Sequence, residues 1–141
     1  MQLIEEFKVK EEKAVKVFIL NGDKEILFYR RDNIKGLPFR NYWDLIGGQI
    51  EERESEIDAL EREVMEEIGC KVDETERIGE VYDSRYRTRI ALYKARISFP
   101  IEDIELCEGQ YARYFKFNEA RKLRIPKFFR DFMNMNRELF D

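Results

Sequence analysis

Residues 48–70 read GQIEERESEIDALEREVMEEIGC, and this stretch decides the fold of the central part of the chain. Ser55, with Asp58 three positions later, resembles a capping box, in which two side chains bond to each other's backbone N–H groups and start a helix. Gly69 supplies a stop, because glycine readily adopts the left-handed conformation that ends helices. Apolar residues recur between these two signals at helical spacing: Ile57, Leu60, Val64 and Ile68. The stretch therefore predicts an amphipathic helix that packs on a core by one edge.

Three acidic residues, Glu63, Glu66 and Glu67, crowd the end of this helix. The C-terminal end of a helix carries partial negative charge, so carboxylates there are electrostatically unfavourable. At about 100° per residue, Glu63 and Glu67 lie beside the apolar stripe and Glu66 lies further round. Such a chain needs a compensating cation, and carboxylate oxygens are ligands of hard divalent metals. The pattern indicates a metal site; a solvated acidic face, which most charge runs form, is the alternative.

Strand patterns flank the helix on both sides. The strand signals lie in Leu3–Lys10, Ala14–Leu20, Glu25–Arg31, Tyr42–Leu45, Glu80–Ser98 and Tyr111–Phe117. Pro126 is expected at the first position of a last helix, where its missing N–H costs nothing. The apolar face of that helix should be core and consists of Phe128, Phe129, Phe132, Met135 and Leu139. This order of elements predicts a single domain over residues 1–141, an α/β or α+β layered fold with a mixed sheet.

Composition excludes several classes of function. The 141 residues contain no histidine, which removes Ser-His and Cys-His catalysis and histidine-containing zinc sites. A net charge of −4 gives no general basic footprint, so a nucleic-acid partner is not expected. Two distant cysteines, Cys70 and Cys107, form no disulfide framework. With no secretory signal or membrane-spanning stretch, a soluble, cytoplasmic protein is expected, as a monomer or homodimer.

The spacing in residues 48–70 resembles the Nudix box, GX5EX7REUXEEXGU, in which U is a bulky apolar residue. The matching residues are Gly48, Glu54, Arg62, Glu63, Val64, Glu66, Glu67, Gly69 and Cys70. Cys70 stands where Ile, Leu or Val is usual, and a buried cysteine behaves as a small hydrophobe. Upstream, the resemblance extends to Trp43 and Gly47, while Ile46 replaces a proline that many members have. The resemblance implies an α/β fold of the Nudix type, an α/β/α sandwich with a mixed sheet between helices.

The resemblance also implies roles for individual residues. Glu63, Glu66 and Glu67, with the carbonyl of Gly47, would bind Mg²⁺, with Mn²⁺ as an alternative ion, and Glu54 would participate more distantly. Arg62 would hold the carboxylates of the box in position. Outside the box, Glu108 looks like the family's downstream glutamate, a metal ligand or general base, and Glu105 is its close competitor. Which of Glu63, Glu108 and Glu105 acts as the general base stays open.

Candidate substrate-binding residues lie outside the box. If residues 84–89 form a strand, Arg85, Arg87 and Arg89 share one face and could bind phosphates; a solvated basic edge is as frequent. Other phosphate candidates are Arg30, Arg31 and Arg40. Aromatic residues that could stack on a base are Phe39, Tyr42, Tyr82 and Tyr86; packing is the more frequent role of such residues.

Three functions are compatible with this fold. The first is Mg²⁺-dependent hydrolysis of the diphosphate linkage in a small-molecule nucleotide, namely a nucleoside triphosphate, a dinucleoside polyphosphate or a nucleotide sugar. The second is a non-catalytic module that binds nucleotide or RNA, which would not need all three box carboxylates. The third is isomerisation of an allylic diphosphate, which one branch of the fold performs with additional acid-base residues, often a cysteine and a histidine. The complete carboxylate set and the absence of histidine favour hydrolysis.

Overall fold

The computed structural model describes residues 10–97 and 109–141, and in these ranges seven strands form one mixed sheet. The strands are β1 (Glu12–Leu20), β2 (Ile26–Arg30), β3 (Trp43–Asp44), β4 (Ile46–Gln49), β5 (Asp73–Asp83), β6 (Thr88–Arg96) and β7 (Ala112–Phe115). Their main order is β3-β2-β1-β6-β5, with β4 paired to β1 and β7 paired to β2. β1 and β6 run parallel, and the other pairs are antiparallel.

Helices cover both faces of the sheet. They are α1 (Glu56–Ile68), α2 (Phe117–Ala120) and α3 (Lys127–Met135), followed by a 3₁₀ helix over Arg137–Phe140. Alternate residues of β1 enter opposite cores, because successive side chains of a strand point to opposite faces. Val15 and Val17 pack with α1, and Ala14 and Phe18 pack with α3. The α/β/α sandwich with a mixed sheet is therefore confirmed.

The helix α1 forms much as its sequence predicts. Ser55 is the N-cap, and both hydrogen bonds of the capping box with Asp58 are present. Gly69 ends the helix in the left-handed conformation, with φ 66°. The prediction for Ile57 is wrong, since 38% of this residue is exposed. The buried residues of the helix are Ala59, Leu60, Val64, Glu67 and Ile68.

The strand predictions differ from the structure in three places. The region Glu80–Ser98 holds two strands, because residues 84–87 form a tight turn between β5 and β6. The segment after Trp43 breaks at Leu45, and its second half becomes β4, which pairs with β1. Tyr111–Phe117 is a shorter strand that runs into α2. The predicted strand Leu3–Lys10 lies, apart from Lys10, outside the described residues. That residues 1–141 form a single domain stays a prediction.

The C-terminal helix differs in detail. Pro126 is the N-cap and lies one position before the helix, so the expectation that it is the first helical residue is wrong. Met135 is 80% exposed and does not belong to the core, whereas Met133 is fully buried. The nine-residue helix ends at Met135, so Leu139 packs on the core from the following 3₁₀ helix. None of the helices in the described part of the chain is long and apolar enough to cross a membrane.

Candidate metal and substrate site

The three box carboxylates occupy different environments at the end of α1. Glu67 is buried, with 3% of the residue exposed, and its Oε2 accepts a hydrogen bond of 2.8 Å from the backbone N–H of Gly47. The Glu63 side chain is 14% exposed and lies against Gly48, whereas that of Glu66 is 58% exposed. The last turn of α1 contains no basic residue, so no side chain of that turn offers these acids a countercharge.

Arg62 supplies part of that countercharge. Its guanidinium binds Glu54 through two hydrogen bonds of 2.7 and 3.0 Å. The same Nη1 contacts Glu63 at 3.0 Å and Glu66 at 3.2 Å, and Nη2 donates to the carbonyl of Gln49. The hydrogen bond from Arg62 lowers the pKa of Glu54, and the bond to Glu54 is the main cause that raises the pKa of Arg62. The guanidinium thus joins the carboxylates to the loop before the helix.

The pKa of Glu63 is shifted in the direction opposite to that of Glu54. Burial raises the pKa of the Glu63 carboxyl, and the hydrogen bond and charge of Arg62 only partly offset this. The nearby charge of Glu66 raises the pKa of Glu63 further. A carboxyl with a raised pKa suits proton transfer, although a bound cation would favour its charged form.

The turn beside these acids requires glycine. Gly47 has φ 140°, and a Cβ there would collide with the carbonyl oxygen of Val15 and with the backbone of Lys16. At Gly48, a Cβ would stand 2.5 Å from Oε1 of Glu63. The absence of side chains at both positions therefore lets β4 pair with β1 and lets the glutamates approach the backbone.

The chemistry of the donor set fits a hard divalent cation. Carboxylate oxygens of Glu63, Glu66 and Glu67 and the carbonyl of Gly47 are ligands that Mg²⁺ prefers. Within residues 10–97 and 109–141, no three acidic or cysteine side chains are grouped so that they could hold a metal ion as they stand. The carboxylates of Glu63 and Glu66 have more lone pairs than their hydrogen bonds to Arg62 use, so Arg62 and a metal ion can share them. Glu108 and Glu105 lie outside the described residues.

A second charged cluster lies close to the glycine turn, and the sequence analysis missed it. Lys16 and Arg31 both bind Oδ2 of Asp44, at 3.2 and 3.1 Å, and Asp44 is only 4% exposed. Burial alone lowers the pKa of Lys16, but Asp44, Tyr29 and Glu67 outweigh it, so the pKa is raised and the ammonium stays charged. The available signal was a lysine in the centre of the apolar strand AVKVFIL. Arg31, predicted as a phosphate ligand, is engaged within the protein.

A cavity of about 230 Å³ opens beside these residues. Its lining includes the polar residues Lys16 and Asp44, the backbone of Gly48 and the aromatic residues Phe39, Tyr86 and Phe128. Phe39 touches Tyr86 and Phe128, with ring centroids 6.0 and 6.1 Å apart.

Other aromatic candidates lie elsewhere. Tyr42 stands outside the cavity lining, 5.4 Å from Phe39, with the guanidinium of Arg124 4.4 Å above its ring. Tyr82 is 48% exposed and does not line the cavity. Of the four aromatic candidates predicted from the sequence, Phe39 and Tyr86 therefore line the cavity, and Tyr42 and Tyr82 do not.

The prediction that Arg85, Arg87 and Arg89 share one strand face is wrong. Residues 84–87 form the turn, in which Oδ1 of Asp83 accepts hydrogen bonds from the N–H groups of Arg85 and Tyr86. Arg89 lies in β6 and pairs with Glu11 and Glu80. In the described ranges, Arg85, Arg87 and Arg40 form no ion pair, while Arg30 lies over Trp43 and bonds to Tyr111.

Comparisons with known proteins agree with this geometry. The family model for the NUDIX domain matches residues 10–134. A MutT protein from Methanosarcina mazei Go1 is similar with a TM-score of 0.76 and 24% identity, over 93% of this chain and 98% of that one. The NUDIX domain of Shewanella oneidensis NrtR, solved with ADP ribose, has a TM-score of 0.75 and 19% identity, over 97% of this chain and 92% of that one. A MutT NUDIX hydrolase from Burkholderia pseudomallei has a TM-score of 0.67 and 19% identity, over 78% of this chain and 86% of that one. The match to the family model, which covers most of the chain, together with the shared fold and the complete box, shows that this chain belongs to the Nudix family.

Proposed function

We propose that this protein hydrolyses the phosphoanhydride bond of a nucleoside diphosphate derivative with Mg²⁺ as cofactor, and Mn²⁺ as a substitute. The substrate would be a nucleoside triphosphate, a dinucleoside polyphosphate or a nucleotide sugar. One observation carries the proposal: Glu67 binds the backbone of Gly47 and Glu63 lies against Gly48 at the acidic end of α1, where no residue of the last helical turn balances their charge. Their oxygens are suited to a hard cation, and the family is one of hydrolases.

Each residue of the box has a proposed task. Glu63, Glu66, Glu67 and the carbonyl of Gly47 would hold the ion. When bound, Mg²⁺ would supply an activated water and neutralise phosphate oxygens. Arg62 would keep Glu63 and Glu66 from separating, since its Nη1 contacts both. Glu63, Glu105 and Glu108 stay alternatives for the base that accepts the proton of water, and Glu108 would be a further ligand.

The cavity beside Gly48 is proposed to take the nucleoside. Its volume of about 230 Å³ lies below the usual range for drug-sized ligands, roughly 300–1,000 Å³, so it suits one small moiety. Phe39 and Tyr86 would stack on the base, with Tyr42 outside the cavity. Arg40, Arg85 and Arg87, which have no carboxylate partner in the described ranges, would bind phosphates.

A panel of nucleotide substrates assayed with and without Mg²⁺ tests the proposal. Glu67→Gln should abolish most turnover, because glutamine still accepts the hydrogen bond from Gly47 but lacks the charge that binds the ion. Glu61→Gln, an exposed acid on the same helix, is the matched control and should stay active. Full activity of Glu67→Gln would refute the metal assignment. Nucleotide binding without turnover by the wild type would establish the non-catalytic module instead.

A further inference from the structure

Lys16 is an unusual residue for its position. It lies in the middle of β1, and its neighbours Val15 and Val17 are wholly buried. Only 11% of the Lys16 side chain is exposed. An ammonium group in such a place must satisfy its hydrogen bonds within the protein, because burial of an unpaired charge is costly.

The three N–H donors of Lys16 have three acceptors, all in one short segment. Nζ donates to Oδ2 of Asp44 at 3.2 Å, to the carbonyl of Leu45 at 3.0 Å and to the carbonyl of Gly47 at 3.3 Å. A lysine ammonium has three donors, so none is left for a phosphate oxygen. Lys16 therefore acts on the segment 44–47 and not directly on a substrate.

Gly47 is held from both faces of the sheet. Its N–H binds Glu67, which reaches it from α1. Its carbonyl accepts from Lys16, whose side chain enters the opposite face, because Val15 and Val17 on either side of it point toward α1. The register of β1 and β4 places Lys16 directly opposite Gly47.

The contact to Asp44 does not by itself explain the lysine. Arg31 Nη1 also binds Oδ2 of Asp44, at 3.1 Å. Removal of the Lys16 ammonium would therefore leave Asp44 paired, but it would leave the carbonyls of Leu45 and Gly47 without this donor. The expected consequence is a looser glycine turn, with the buried carboxylate still neutralised.

We propose that Lys16 is a positioning residue, which clamps the turn at Gly47 from the side opposite α1 and so presents Glu67 and the Gly47 carbonyl to the site. The part of this inference that concerns a metal ion rests on the proposed function. The part that concerns the turn does not.

The test compares Lys16→Met with two controls. Lys13→Met removes the same charge from an exposed position of β1, and Val17→Ala destabilises the core of the same strand without touching a polar group. Mn²⁺ binding without substrate, measured by electron paramagnetic resonance, should weaken about 10- to 100-fold in Lys16→Met, the range typical for residues that orient metal ligands. Both controls should bind Mn²⁺ like the wild type.

Amide hydrogen exchange of the metal-free variants provides the second measurement. The Gly47 N–H should exchange faster in Lys16→Met than in Val17→Ala at equal global stability. Equal exchange in these two variants, or Mn²⁺ binding in Lys16→Met as tight as in Lys13→Met, would overturn the inference. Tighter Mn²⁺ binding would also overturn it, since Lys16 would then act by repelling the ion.

Two further outcomes stay informative. If neither the wild type nor any variant binds Mn²⁺, the proposed metal function fails. The amide exchange of Gly47 alone then tests whether Lys16 positions the turn. If Lys16→Met does not fold, Lys16→Arg keeps the charge. The planar guanidinium of arginine cannot donate to the same three acceptors as the lysine ammonium, so Mn²⁺ binding should still weaken. Wild-type affinity in Lys16→Arg would contradict the clamp.

Discussion

Gly48→Ala should move one carboxylate without harming the fold. The new Cβ would stand 2.5 Å from Oε1 of Glu63, whereas ordinary contacts begin at 3.4 Å, so the carboxylate must retreat by about 0.9 Å. Gly48 is not among the glycines with positive φ, so alanine fits its backbone. The atoms that must yield are the end of a flexible side chain. A displacement of about 1 Å in a catalytic group can cost roughly 100-fold in rate, which is the loss expected here.

The assay pairs Mg²⁺-dependent nucleotide hydrolysis with denaturant unfolding. The free energy of unfolding of Gly48→Ala should stay within about 1 kcal/mol of the wild type, because alanine at a compatible position also restricts the unfolded chain. Gly47→Ala is the contrasting variant. Its φ of 140° and its collision with the backbone of Val15 should cost at least about 1–3 kcal/mol. Wild-type activity in Gly48→Ala, or a loss of stability equal to that of Gly47→Ala, would refute the reasoning.

Two more variants and one titration test the rest of the site. Arg62→Met should destabilise the metal-free protein, because the carboxylates of the box lose their shared cation; a Tm of the metal-free variant equal to that of the metal-free wild type would contradict this. In metal-free protein, carboxyl NMR should show Glu63 titrating above the ordinary glutamate range and Glu54 below it. The folded state holds the Glu63 proton more tightly than the unfolded state does. The contribution of Glu63 to the free energy of unfolding should therefore fall as the pH rises above the ordinary pKa range of glutamate, whereas the contribution of Glu54 should fall as the pH drops below that range. Ser55→Ala should cost about 1 kcal/mol through the lost N-cap while the KM for nucleotide is unchanged; a changed KM would show that α1 does not simply lose stability.

Local features of the sequence predicted the central helix well. The capping box of Ser55 and Asp58 and the stop at Gly69 depend on neighbours within one turn, so they could be identified without tertiary information. The contact of Arg62 with Glu66 follows in the same way, since side chains four residues apart on a helix are neighbours. The contact of Arg62 with Glu63, the next residue, does not follow from helical spacing.

Features that depend on turns were harder to predict. Arg85 and Arg87 alternate in a pattern that resembles a strand, but Asp83 binds the backbone of the next residues and closes a turn there. Met135 keeps the helical spacing of the apolar face and yet is exposed, because α3 ends at that residue. In both places the residue spacing fits a regular strand or helix, but that element ends there, so the side chains do not share the expected face.

The sequence by itself determined the acidic helix and predicted a layered domain with a mixed sheet, while the sandwich arrangement and the roles of the box residues were implied by the resemblance to the Nudix family. The helix depends on spacing along one element, where the chain itself sets every distance. Only the tertiary structure decided that Glu67 binds the backbone of Gly47 and that Lys16 holds the same glycine from the other face. Lys16 and Gly47 are 31 residues apart and meet through the register of β1 with β4. The physical reason is that a buried ammonium takes its acceptors from whichever backbone the sheet brings beside it, which spacing along the chain does not reveal.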